Sequence, residues 1–199
     1  NVKTHEESFW ILKQESSIVI KSKSTESKVD LPKGCKLFIK DNSNILKGDL
    51  IAEYDPNDSY VISVQDGISI YDTSKVQEVK KGDQSILSTI SSGQIIIYDK
   101  NSKDEIHLSK TNADKFKKLE LVNQDQINSD KLKSSGVILD IKTNPNSTKK
   151  SNEFIIEVAK ATVFPFNAGS QVYVKNNAKV SENDCILYSR ATSNSDKTQ

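Results

Sequence analysis

His5 and His107 are the only histidines in the 199 residues, and Cys35 and Cys185 the only cysteines. Metal centres gather several N, S or O ligands at short, characteristic spacings. Neither histidine has a cysteine, a second histidine or a paired carboxylate in a motif around it. The two cysteines lie 150 positions apart, which suits neither a metal site nor a disulfide framework and fits a reducing compartment. A nucleophilic cysteine needs a histidine beside it, and the sequence suggests none. Cys35 follows Gly34 in a turn, and Cys185 reads as a small core residue. P-loop, dinucleotide fingerprint and nucleophile elbow are absent. Asp49, Asp83 and Asp184 recur at similar places but read as turn or strand-edge residues. Lys115-Phe116-Lys117-Lys118 is a basic cluster with an aromatic, the pattern of a nucleic-acid contact. It reads instead as a solvated segment, because 28 basic residues face 27 acidic ones and only Arg190 is arginine. No catalytic, metal or cofactor site, and no sequence-specific nucleic-acid contact, is expected of this chain.

The elements around these residues are β. Hydrophobic residues make up 35% and charged residues 28%, with mean hydropathy −0.56. Thin cores, each serving one small module, follow from that balance. No window approaches the roughly 18 apolar residues of a membrane span. The chain opens at Asn1 without a charged n-region or apolar h-region, so no signal peptide is read. With the polar end Ser193-Asn194-Ser195-Asp196-Lys197, it reads as a piece of a longer, soluble protein.

Self-similarity is the informative feature. Residues 36–51 align without a gap on 171–186, a shift of 135. Apolar positions coincide at 37/172, 38/173, 39/174, 45/180, 50/185 and 51/186. Asp41-Asn42 falls on Asn176-Asn177, and Gly34 on Gly169. A worn third copy at a shift of 82 places Leu119, Leu121, Asn123, Gln124, Ile127, Asp130 and Leu132 under the pattern. A fourth trace, Val79 to Asp83, matches only its tail. Each copy reads as a short strand (Lys36 to Lys40), an Asp-Asn turn, a lone core residue (Ile45), a Gly48-Asp49 turn and the next strand from Leu50. Further strands are expected at Trp10–Leu12, Ile18–Ile20, Tyr60–Val64, Ile68–Tyr71, Gln94–Tyr98, Val137–Ile141 and Phe154–Val158. Asp66-Gly67 predicts a hairpin between two of them. Ala113 to Leu121, capped by Asn112, allows one or two helical turns with a strand at its end. Polar stretches at 99–110 and 142–152 read as loops. The expected fold is all-β, with few or no helices. Its provisional modules are 1–98, 99–150 and 151–199, with strands borrowed across these boundaries.

The run Leu31 to Asp41, continued by Gly48-Asp49-Leu50-Ile51-Ala52-Glu53-Tyr54-Asp55-Pro56, resembles the sandwich-barrel hybrid motif of the multisubunit RNA polymerase β′ subunit. The motif residues are Gly34, Leu37, Ile39, Asp41, Ile45, Gly48, Asp49, Tyr54, Asp55, Pro56 and Gly67. In the second copy they are Gly169, Val172, Val174, Asn176, Val180 and Asp184. The match is best over 31–72. The second copy departs from it, with Asn183 for the glycine and Leu187-Tyr188-Ser189 for aromatic-Asp-Pro. Tandem copies suggest the insertion within the trigger loop, which lies on a separate β″ polypeptide in cyanobacteria and plastids. The resemblance implies tandem sandwich-barrel hybrid modules without catalysis of their own, in the cytoplasm or plastid stroma. The implied partners are other polymerase subunits and sigma factor, with no cofactor and no membrane. The polymerase's aspartate-rich magnesium loop and cysteine zinc cluster are absent from this sequence. Two other β-module families give alternatives. A biotinyl or lipoyl carrier needs a modified lysine at a hairpin tip, and here there is no methionine and Lys40 ends a strand. A secretion-pump adaptor usually carries heptad hairpins, and none is visible.

Overall fold

A computed structural model describes residues 2–3, 8–82, 84–129, 132, 134–147 and 153–191. The fold is all-β, and every strand pair is antiparallel. Among the described residues no helix is long and apolar enough to cross a membrane.

The first unit contains β1 (Val2–Lys3), β2 (Ser8–Ile11), β3 (Ser16–Lys21), β4 (Glu26–Leu31), β5 (Lys36–Leu37) and β6 (Ala52–Glu53). They form one sheet in the order β1-β2-β5-β6 and a separate pair, β3-β4. The next strands are β7 (Asp58–Ile62), β8 (Gly67–Tyr71), β9 (Val76–Lys81), β10 (Gln84–Thr89) and β11 (Gly93–Ser109). After helical turn α1 (Lys110–Ala113) come β12 (Leu121–Val122), α2 (Gln124–Ile127), β13 (Gly136–Thr143) and β14 (Glu153–Phe166). The chain closes with β15 (Gln171–Val172), β16 (Lys179–Val180) and β17 (Cys185–Arg190).

The second unit is assembled from two distant stretches of chain. One layer runs β7-β17-β15-β10-β9, and the facing layer carries β14-β11-β8-β16. Ile95, Ile97, Phe164, Phe166, Val172, Val174, Val180, Ile186 and Leu187 fill the space between them. Removing such side chains from water stabilises by roughly 1.5–3 kcal/mol each, which holds the layers together. The far halves of β11 and β14 continue into a third region with β12, β13 and α2. Its core includes Ile106, Val122, Ile127, Ile138, Ile156 and Val158.

Three expectations are corrected. The stretch 99–110 is no loop: β11 runs to Ser109 and pairs with β14, with a register shift between Tyr98 and Lys103. Asp104 to Ser109 pair with strand residues 153–158, so the partner supplies the ladder that local polarity does not advertise. That strand also runs through positions 98 and 99, from the first provisional module into the second. Of the stretch 142–152, Lys142 and Thr143 belong to β13, and 148–152 lie outside the described residues. Secondly, Asp66-Gly67 makes no hairpin, because β7 and β8 belong to different sheets. The bend passes the chain from one layer to the other, and Gln65 pins it by donating Nε2–H to the Ile97 carbonyl at 2.8 Å. Thirdly, the helical turn ends at Ala113 rather than starting there, with Ser109 and not Asn112 as its cap residue. A second turn, α2, is closed by a capping box between Asn123 and Gln126.

Candidate interaction surface

The residues singled out for chemistry are placed apart. His5 and Asp83 lie outside the described residues. His107 is exposed on β11, opposite Ile155. No group of three or more potential metal ligands occurs among the described residues. Both cysteines are free and buried. Burial pushes the Cys35 thiol up, and its S–H donates to the Glu53 carbonyl at 3.3 Å. Burial likewise pushes Cys185 up to about 12. Two protonated thiols in apolar surroundings pack rather than attack. In the basic cluster, Phe116 packs against the third core, and Lys118 pairs with Asp140 at 2.6 Å.

The motif residues do come together, as two copies of one unit. Gly34 and Gly169 take φ of 86° and 84°, Asn42 and Asn177 take 58° and 61°, and Gly48 and Asn183 take 102° and 78°. Left-handed backbone is open mainly to glycine and asparagine, which explains the residue types at all three positions. Asp49 accepts the Leu46 N–H at 2.7 Å, and Asp184 accepts the Ser181 N–H at 2.8 Å. Phe38 N–H donates to Ile51 O, and Tyr173 N–H to Ile186 O, both at 2.9 Å. Lys36↔Glu53 and Leu37↔Ala52 recur as Gln171↔Tyr188 and Val172↔Leu187. Asn183 in place of glycine therefore leaves the turn intact. Tyr54 is exposed, while Asp55 turns the chain by accepting the Asn57 N–H and pairs with Arg190 at 2.5 Å. The Asn57 hydrogen bond leads the effects that hold the Asp55 carboxyl below its usual range. Pro56 is exposed at this turn.

The third copy exists at a different register. Leu119 takes φ of 64°, its N–H donates to Ile138 O, and Ile138 N–H donates to Glu120 O. Gly34 and Cys35 make the same two bonds with Leu12, so the structural shift is 85 rather than 82. Asp130 lies outside the described residues. The fourth trace is the β9–β10 hairpin around Gly82, at the end of the second unit's β7-β17-β15-β10-β9 layer.

A second repeat, at a shift of 77, completes the picture. β1-β2 pairs Val2↔Phe9, and β9-β10 pairs Val79↔Ile86. β3-β4 pairs Ser16↔Leu31 through Lys21↔Glu26, and β11-β14 pairs Gly93↔Phe166 through Tyr98↔Ala161. Among the described residues the first unit thus repeats β9, β10, β11, β14, β15 and β17 of the second, with no counterpart of β7 and β8 and with 44–45 in no strand where the second unit has β16. In the second unit β8 lies between β11 and β16, while β7 covers β17. Without them, equivalent side chains stay exposed. Val19 is 47% exposed where Ile96 is 8%, and Leu50 is 59% exposed where Cys185 is 6%.

The two units meet at an aromatic seam. Phe9 and Cys185 are buried there among Ile11, Phe38, Tyr60, Ile62 and Tyr173. Lys36 lies 5.8 Å from the Phe9 ring centre and pairs with Asp58 at 3.6 Å. The Tyr188 hydroxyl donates to Asp58 at 2.8 Å. Burial raises the Tyr60, Tyr173 and Tyr188 phenols above their ordinary value. The arrangement offers packing and open strand edges, the means by which β modules engage other proteins. No protein-family model matches the chain, and no curated protein matches it.

Proposed function

We propose that this chain is a non-catalytic interaction region of a DNA-directed RNA polymerase large subunit, of the β′ or β″ type. In this reading the units are sandwich-barrel hybrid modules in tandem. They take part in transcription by contacting other polymerase subunits or the sigma factor, in the cytoplasm or the plastid stroma. The reading starts from the resemblance of residues 31–72 to the polymerase motif. The observation that carries it is the doubled unit, in which the motif's glycine, Asp-Asn and Gly-Asp positions take matching backbone angles 135 residues apart. Such turns fix where short strands begin and end, leaving the exposed edges as the working surface. The Asp55–Arg190 and Lys36–Asp58 pairs support a defined orientation between the first two units.

The test is binding of the purified 199-residue chain to immobilised core polymerase and, separately, to its principal sigma factor, at two salt concentrations. Retention on either at micromolar concentration is the expected result, and retention on sigma points to initiation. Silence toward both overturns the reading.

A further inference from the structure

The first unit contains a groove of about 740 Å³ between β3 and the segment 39–45. Its apolar lining includes Ile18, Ile20, Leu37, Ile39 and Ile45. Their counterparts in the second unit are Ile95, Ile97, Val172, Val174 and Val180, all buried in one core. There, β8 pairs with β11 from Ile95↔Tyr71 to Tyr98↔Ile68 and with β16 through Lys179↔Ile68. The groove is therefore the place of a missing strand, bounded by two edges whose counterparts are both paired.

We infer that the first unit is completed by a β-arch supplied from outside the 199 residues, entering ahead of Val2 and resembling Asp58–Tyr71. Three observations select this occupant. Subtracting the 77-residue shift places the arch and its connection, Asp58 to Gln77, immediately ahead of Asn1. Thr192 to Gln199 contains no apolar residue and is too short to supply two strands. Charge also agrees: Asp58 to Asp72 carries three aspartates and neither lysine nor arginine, while Lys21 and Lys40 line the groove against the one carboxylate of Asp41. Lys47 takes the place of Glu182, whose N–H donates to Asp66 at 2.7 Å, so an acid at the arch bend gains attraction as well as the hydrogen bond.

The slot also sets the occupant's sequence. Where β8 crosses β11, a Cβ on Gly67 would come within 2.6 Å of Tyr98 O, so the entering strand needs glycine at that point. Two residues later, the Ser69 hydroxyl donates to Lys175 O at 2.7 Å, which asks for a hydroxyl facing Lys40 O. The Tyr71 N–H donates to Asn176 Oδ1 at 3.0 Å, and Asp41 offers a carboxylate at the same place.

The test fuses a copy of Asp58–Gln77 directly ahead of Asn1 of the full chain and follows amide hydrogen exchange. Exchange across Ile18–Lys21 and at Asn42 and Gly48 is expected to slow by roughly a hundredfold or more. The same fusion with Gly67→Val in the added copy only is expected to give no protection, while the native second unit stays protected. Unchanged exchange in the first fusion overturns the inference. So does finding that the unmodified chain already protects these amides as a dimer in sedimentation, which would assign the groove to a second copy. The inference stands independently of the polymerase reading, since neither polymerase nor sigma enters the measurement.

Discussion

Gly67 lies against the backbone of Tyr98: a Cβ built on it would stand 2.6 Å from the Tyr98 carbonyl oxygen and 2.8 Å from Ile97 Cγ2. This contact lets β8 fill the gap between β11 and β16, and so turns two layers into a closed unit. The glycine serves close approach here rather than a turn. Gly67→Val is expected to destabilise the chain by roughly 3 kcal/mol, because the clash is with backbone that cannot give way. A lowered urea midpoint checks it, and an unchanged midpoint would mean that β8 sits elsewhere.

The same side chain matters differently in the two units. Ile97 is fully buried, whereas its counterpart Ile20 borders the open groove. Ile97→Ala is expected to cost about 3 kcal/mol or more, and Ile20→Ala about 1 kcal/mol or less. Denaturant unfolding of the pair measures the asymmetry directly. Equal losses would argue that both cores are closed.

Acid should loosen the third region. Hydrogen bonds from Lys142 and Lys103 hold Glu157 below its usual value, and hydrogen bonds from Lys118 and Lys142 lead the effects that do the same for Asp140. A carboxyl whose folded value lies below its unfolded value adds stability above the unfolded value. That contribution is lost as pH falls through the folded one. The urea midpoint is expected to drop from about pH 4.5 downward, in the ordinary carboxylate range. Glu157→Gln should flatten the drop, and an identical acid limb in the variant would remove Glu157 from the explanation.

The thiols should be silent while the chain is folded. Cys35 is 1% and Cys185 6% exposed, and burial disfavours both thiolates. A thiol-reactive disulfide reagent at neutral pH is expected to label neither in the native chain and both in urea. Rapid native labelling of Cys185 would show that the aromatic seam opens.

Much of this was legible in the sequence because turn chemistry is local. Gly34, Asn42 and Gly48 announce left-handed backbone by residue type, and their counterparts 135 positions on carry the same signal. The strands at Ile18–Ile20, Ile68–Tyr71 and Gln94–Tyr98 were likewise visible as β-branched and aromatic runs. What escaped depends on partners distant in the chain. Asp104 to Ser109 look like a polar loop until β14 supplies a ladder. Asp66-Gly67 looks like a hairpin because the sequence does not show that its flanking strands join different layers. The open groove was hidden for the same reason. Ile18 to Ile20 read as a strand and Ile45 as a core residue, and only the sheet order reveals that no described strand covers them. The third copy was found three residues out of register, since its turn rests on Leu119 at φ 64°, a residue type that gives no warning of it.

The difference between a closed and an open copy can be measured in the unmodified chain by comparing equivalent backbone amides. Asn177 N–H donates to Ser69 O at 2.7 Å and Asn183 N–H to Ser63 O at 2.9 Å, both within the second unit. Their counterparts, Asn42 and Gly48, sit at the exposed edge left without β7 and β8. Hydrogen exchange should be slower at Asn177 and Asn183 than at Asn42 and Gly48 by roughly a hundredfold or more. Equal protection across the two pairs would contradict the account, because the first copy would then already be closed.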